Sequence, residues 1–134
     1  MQFKLMTPNR QVFSGEVDLV GGRTEEGSFS LLSRHIPAVM ELEPATLKVE
    51  GEEGTKRFAV HGGFVFKERD DTVRVLTREA RDFEEIDPRE LGARIDELEE
   101  RLEEMDEEEE GAEYEKVRSE LERARLNMGL VGNE

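Results

Sequence analysis

The sequence predicts a mixed fold: an all-β N-terminal domain over residues 1–83, followed by an α-helical hairpin over residues 84–134. Three observations carry this prediction. The first part breaks into short β-rich pieces separated by turn residues. After Phe83 the apolar period lengthens from two to between three and four. The charge changes at the same place: residues 1–83 hold 14 acids and 12 bases, a net of −2, whereas residues 84–134 hold 20 acids and 7 bases, a net of −13.

The strands come in order. QFKLM alternates, and QVFSGEVDLV supplies two β-rich pieces around Ser14-Gly15. The remaining candidates are SFSLL, AVMEL, ATLKVE, KRFAV, GFVFKE and TVRVLT. Between them stand Thr7-Pro8-Asn9, Gly21-Gly22, Gly51 to Gly54, Gly62-Gly63 and Asp70-Asp71, residues that preset φ or tolerate positive φ. Short strands at this spacing predict an antiparallel sandwich or a flattened barrel. In TVRVLT, Val73 and Val75 share one face and Arg74 takes the other. All seven phenylalanines lie in this part and supply a modest core.

Leu91, Ile95, Leu98, Leu102 and Met105 form one helical stripe, and Tyr114, Val117, Leu121, Ala124 and Met128 form a second. The run MDEEEEGAE joins them, with Gly111 as the expected turn, which makes an antiparallel hairpin. Its start is legible in EIDPREL. Asp87 suits the N-cap, Pro88 the first helical position, and Glu90 the reciprocal place in a capping box, with Ile86 and Leu91 as a hydrophobic staple. Burying two narrow stripes stabilises less than ordering both helices costs. The hairpin is therefore expected to lean on the β domain or a partner, with more than one resting place.

At 134 residues, 35% apolar and 40% charged, the chain has room for one ordinary core or two small units. It has no cysteine, which removes disulfides, thiolate metal sites and thiol catalysis. No apolar run reaches the length of a membrane span, and MQFKLMTPNR has no signal-peptide apolar region, so the expected place is the cytoplasm, without lipid insertion. A net charge of −15 opposes binding to nucleic acid, which requires clustered cations, and to anionic lipid.

The stretch TEEGSFSLLSRHIPAV holds the chemical candidates. Ser33 and His35 could pair as nucleophile and base, but no G-x-S-x-G elbow frames them. The alternative is a histidine whose hydrogen bonds hold a loop. His61 precedes Gly62-Gly63, but a strand follows and not a helix N-terminus, so a tight hairpin with positive φ is favoured over a phosphate loop. Two histidines 26 residues apart make no metal site, and the DEEEE run lacks the alternation of a calcium loop. On residue chemistry an interaction module is favoured over an enzyme.

Phe13-Ser14-Gly15, Glu26-Gly27, His35-x-Pro37, Gly62-Gly63-Phe64 and Val73-x-Val75-Leu76, followed by an acidic helical hairpin, resemble the epsilon subunits of F-type ATP synthases over nearly the whole chain. The resemblance departs at Ser33-Arg34, where the family usually has Pro-Gly, and at Ser30, commonly a glycine. It implies a sandwich of about ten antiparallel strands, a noncatalytic place in the rotor stalk at the cytoplasmic face of the membrane, and catalysis on the beta subunits.

Glu26, Gly27, Ser28 and His35 would then meet the gamma subunit and the membrane-embedded c-type ring. The hairpin could extend toward the alpha and beta subunits and inhibit hydrolysis through Arg94, Arg101, Arg118, Arg123 and Arg125, although its net charge opposes contact with an acidic partner. Asp87 and Arg123 match parts of the family's regulatory ATP motif, but Glu90-Leu91 stand where Arg-Ala is expected and Glu97 and Asn127 replace further basic positions. No cofactor is expected, and ATP only as such a ligand. The competing expectation is a free-standing sandwich adaptor whose acidic hairpin binds another protein.

Overall fold

The computed structural model describes residues 1–132. They form two compact units, one from Met1 to Glu85 and one beginning at Ile86. The first contains β1 (Gln2–Met6), β2 (Gln11–Glu16), β3 (Leu19–Thr24), β4 (Gly27–Leu32), β5 (Ala38–Gly51), β6 (Gly54–Lys67), β7 (Thr72–Leu76) and β8 (Ala80–Asp82). A single 3-10 turn, Phe83–Glu85, closes it.

Eight strands stand where about ten are expected: two pairs of predicted strands fuse, and β8 is added where the sequence predicts no strand. AVMEL and ATLKVE are halves of β5, while KRFAV and GFVFKE are halves of β6. These two long strands pair along their length, from Ala38 opposite Lys67 to Gly51 opposite Gly54. The strand order is β2-β1-β7-β6-β5-β3-β4, with β8 also on β6. The Lys67 end of β6 pairs with β7, whereas its Phe58–Val60 stretch pairs with β8. On β5, β3 pairs only near Lys48–Glu50. Each long strand therefore serves two layers, and one core lies between them: Phe3 and Leu5 of β1, Val73 and Val75 of β7, Val65 of β6, and Val20, Leu47, Val49, Phe58 and Val60 from the other half. One pair departs from the antiparallel expectation. β1 lies parallel to β7, because the chain crosses through the other layer before returning beside β1.

The corner between layers is built by residues that cannot complete a regular ladder. Pro44 has no N–H and sits opposite His61. Gly62 and Gly63 have φ of +89° and +124°, and a Cβ on Gly63 would collide with the Leu76 carbonyl. Positive φ is thus present as expected, but at a bend inside β6 and not at a hairpin end.

The second unit contains α1 (Pro88–Glu104) and α2 (Gly111–Gly132). Asp87 caps α1 by accepting from the Arg89 N–H at 2.9 Å. This is an N-cap to the second helical amide; neither of the two bonds of the expected capping box with Glu90 forms among the described residues. Leu98, Val117 and Leu121 are buried, with Ile95, Leu102 and Met105 packed around them. Gly111 opens α2 instead of making the turn. Asp106 makes that turn: its carboxylate accepts from the Glu108 N–H at 2.9 Å, and its own N–H donates to Glu110 Oε2 at 3.0 Å.

Replacing Gly63 with Ala is expected to destabilise the β unit by about 2 kcal/mol or more, since both conformation and space are wrong for a side chain. Gly54→Ala tests the conformational part alone, because Gly54 has φ +113° but nothing within 4 Å of a new Cβ. Its cost should be about 1 kcal/mol. Equal losses in denaturant melts of the two variants would show that the Leu76 carbonyl imposes no constraint.

Candidate functional site

Three of the expected docking residues meet at the turn between β3 and β4. Thr24 Oγ1 accepts from the Glu26 N–H at 3.2 Å and donates to the Gly27 carbonyl at 3.2 Å. Gly27 takes φ +126°, which completes the two-residue hairpin. Glu25, Glu26 and Ser28 are exposed at its tip. Glu25 and Glu26 share a hollow with Glu41, Glu43, Val39 and Met40 of β5, and none of the four carboxylates has an ion pair among the described residues. His35 lies elsewhere, beyond the opposite end of β4.

The loop that holds His35 is built around Asp71. Ser33 Oγ donates to Asp71 Oδ2 at 2.6 Å, the Arg34 N–H donates to Oδ1 at 3.0 Å, and Lys67 Nζ stands 3.0 Å from Oδ1. These donors hold the Asp71 carboxyl well below its usual 3.8, the Ser33 hydrogen bond first among them. Because the folded value is depressed, the contribution is complete above the unfolded value and is lost as pH falls below it through the folded one. His35 Nδ1 is 2.8 Å from the Ile36 carbonyl. Ser33 and His35 thus spend their polar atoms on loop structure, and the nucleophile–base pair considered from sequence does not form.

A second feature is absent from the sequence-based site: an apolar outer surface on one layer. Directly paired residues share a face, so two rows form there. One is Val39–Phe66–Arg74–Lys4 and the other Glu41–Phe64–Leu76–Met6. Val39 is 66% exposed, Phe64 47% and Leu76 43%, and on the adjoining loop Ile36 is 74% exposed. Beside Phe64 a groove of about 640 Å³ continues the surface past Met6 and Pro8, with Glu41 and Glu43 on its rim. The signal was present in GFVF. An antiparallel strand with one wet face alternates, and unbroken apolar residues mean that both faces are covered.

Four arginines of the hairpin, Arg94, Arg101, Arg118 and Arg125, are engaged within it. Arg94 donates twice to Glu120 Oε1, at 2.7 and 3.0 Å, and lies 3.1 Å from Glu97. Arg101 pairs with Glu113 at 3.1 Å and Arg125 with Glu99 at 3.4 Å, so three arginines cross-link α1 to α2. Arg118 pairs with Glu115 at 2.8 Å on its own helix, and Arg123 is exposed on α2. With Arg94 opposite Glu120, Arg123 falls about level with Leu91, roughly one turn along the hairpin from Asp87, whose carboxylate already serves the cap.

Residues 1–82 match the family described as ATP synthase, Delta/Epsilon chain, beta-sandwich domain. Among curated relatives, the ATP synthase epsilon chain of Thermobifida fusca (strain YX) is 39% identical over 87 residues, 63% of this chain and 64% of that one. That of Thermotoga petrophila is 33% identical over 88 residues, 66% of this chain and 81% of that one. The match thus spans a little under two thirds of the first relative's length. Among solved structures, a chain of the Euglena gracilis mitochondrial ATP synthase OSCP/F1/c-ring assembly superposes with TM-score 0.63 at 24% identity, over 97% of this chain and 76% of that one. This likeness speaks for the fold alone.

Proposed function

The chain belongs to the ATP synthase delta/epsilon chain family, and from that membership we propose that it is a noncatalytic rotor subunit linking the catalytic head to the membrane ring. The observation that carries this reading is the apolar outer layer. A surface that leaves Val39, Phe64 and Leu76 open to water is built to be covered by protein. We assign it to the gamma subunit, as the apolar counterpart of the acidic turn. That turn, with Glu25 and Glu26 unpaired and Glu41 and Glu43 beside them, suits a cationic partner and is assigned to the polar loops of the c-type ring.

The helical unit has the makings of a regulator. Its buried apolar core among the described residues is small, Leu98, Val117 and Leu121 with Ala124 beside them, and its interhelical ion pairs are solvent-exposed, worth about 0–1 kcal/mol each. Separating the helices therefore costs little, and the released Arg94, Arg101 and Arg125 would be free to meet carboxylates on the alpha and beta subunits. No nucleotide enters this scheme, because acidic Glu90 and Glu97 oppose phosphate near Asp87. The complex would sit at the cytoplasmic face of the membrane. No helix in the described chain is long and apolar enough to cross one.

Phe64→Asp should remove this chain from affinity-purified complex, with retention falling at least tenfold, as the loss of about 1.5–3 kcal/mol of apolar burial requires. Full retention, or a wild-type pull-down containing neither gamma nor the ring, would favour the free-standing adaptor. Glu26→Lys should lower ATP-driven ion pumping in reconstituted vesicles while hydrolysis by the detached head persists; unchanged pumping would remove Glu26 from the ring contact. Deleting residues 87–134 should raise hydrolysis several-fold, and an unchanged rate would deny the hairpin an inhibitory role.

A further inference from the structure

Two non-glycine residues have positive φ among the described residues, Arg34 at +68° and Asp71 at +65°, and they are hydrogen-bonded to each other. Left-handed backbone costs a side-chain-bearing residue free energy and persists where its surroundings hold it. Arg34 and Asp71 are 37 residues apart, on the β4–β5 connection and the β6–β7 turn, so neither conformation is a local accident.

Of the β6–β7 hairpin only Lys67 uses the Asp71 carboxylate, and the Met1 ammonium stands 3.9 Å from its Oδ2. Asp70 supplies the side-chain bond within the turn, accepting from the Thr72 N–H at 3.2 Å. The turn's own backbone bonds run from the Asp71 N–H to the Glu68 carbonyl and from the Glu68 N–H to the Thr72 carbonyl. The Asp71 carboxylate reaches outward to Ser33 and Arg34, and it is tethered from below by Lys67, whose residue is only 4% exposed. A buried ammonium requires a nearby anion, so Lys67 fixes where that carboxylate stands.

The loop has few other ties. Between Leu32 and Pro37 the remaining hydrogen bonds are internal, from the His35 N–H to the Leu32 carbonyl and between His35 Nδ1 and the Ile36 carbonyl. What the loop presents is apolar: Ile36 is the most exposed large hydrophobic residue of the described chain, and Leu32 is 54% exposed.

We propose that Asp71 is a positioning residue for docking, its carboxylate holding the Leu32–Pro37 loop in the conformation that offers Ile36 to the gamma subunit. This rests on the docking reading above and adds what prepares its most exposed element. A loop ordered before contact forfeits less conformational entropy on binding, so the clamp raises affinity without itself touching the partner. The salt bridge to Lys67 and the charge-assisted bonds to Ser33 and Arg34 make Asp71 a stronger latch than a neutral side chain would be.

The test uses the full-length chain and the gamma-containing head complex stripped of it. Asp71→Gly removes the carboxylate while keeping a residue that accepts φ +65°, and Ser33→Ala removes one of the two loop bonds without touching the β6–β7 turn. For Asp71→Gly, amide exchange at residues 34–36 should accelerate at least tenfold beyond the general loss of protection that an unpaired Lys67 brings to the core strands, and rebinding should weaken about tenfold. Ser33→Ala should weaken rebinding about threefold. Wild-type rebinding despite a loosened loop, or unchanged exchange in both variants, would overturn the proposal. Phe64→Asp separates the two readings: if it abolishes rebinding while Asp71→Gly does not, the clamp alone fails. If Phe64→Asp rebinds like wild type, or the unaltered chain does not rebind, the docking reading fails and takes the clamp with it.

Discussion

The Leu76 carbonyl lies where a side chain on residue 63 would have to go, so β6 can pass that point only as glycine. With Pro44 at the matching place on β5, this lets one long hairpin leave one layer and enter the other without ending. The sandwich hangs from that bend. The Lys67 end of β6 recruits β7 and, through it, β1 and β2, while the other half meets β8 and its partner β5 meets β3 and, through it, β4. Because both layers grow from one covalent hairpin, the residues that face inward from each form a single core.

The same geometry produces the outer surface. Pairing sets side chains of opposed residues on one face, so the rows that bury Val65, Val73 and Val75 inward turn Phe64, Phe66 and Leu76 outward. A sandwich with this much exposed apolar area on one layer is incomplete by itself. Its acidic turn, its outer layer and its clamped loop belong to different stretches of chain, yet the fold gathers all three around the start of β5, where Val39 and Glu41 belong both to the acidic hollow and to the outer rows. The surfaces proposed for docking are thus distributed by topology and are not confined to one motif.

The helical unit obeys other physics. A small apolar core and a net charge of −13 over residues 84–134 leave little to hold it, and Arg94, Arg101, Arg118 and Arg125 are spent on neighbouring glutamates. Exposed ion pairs of this kind choose a register more than they supply stability. A rigid sheet and a lightly held helix pair on one chain fit a part that must grip at one end and yield at the other.

The sequence by itself determined the elements. The period of two in TVRVLT, the 3–4 spacing from Leu91 onward, the Asp87 cap and the Asp70-Asp71 turn are written in residues a few positions apart, because strands, helices and turns are governed by contacts at that range. The tertiary structure alone decided that AVMEL continues into ATLKVE and KRFAV into GFVFK, that β1 lies parallel to β7, and that β8 exists. It also decided where polar side chains turn: Ser33 toward Asp71 instead of His35, and Arg94 toward Glu120. Glu26 and Gly27 come from the family resemblance; local turn chemistry points instead to Gly21-Gly22, which lie inside β3. The hold of Asp71 on its loop comes from neither, since a carboxylate meeting donors 37 and 38 residues earlier leaves no periodic trace along the chain. What joins distant positions is the folded path of the backbone, and that path depends on the whole core packing at once.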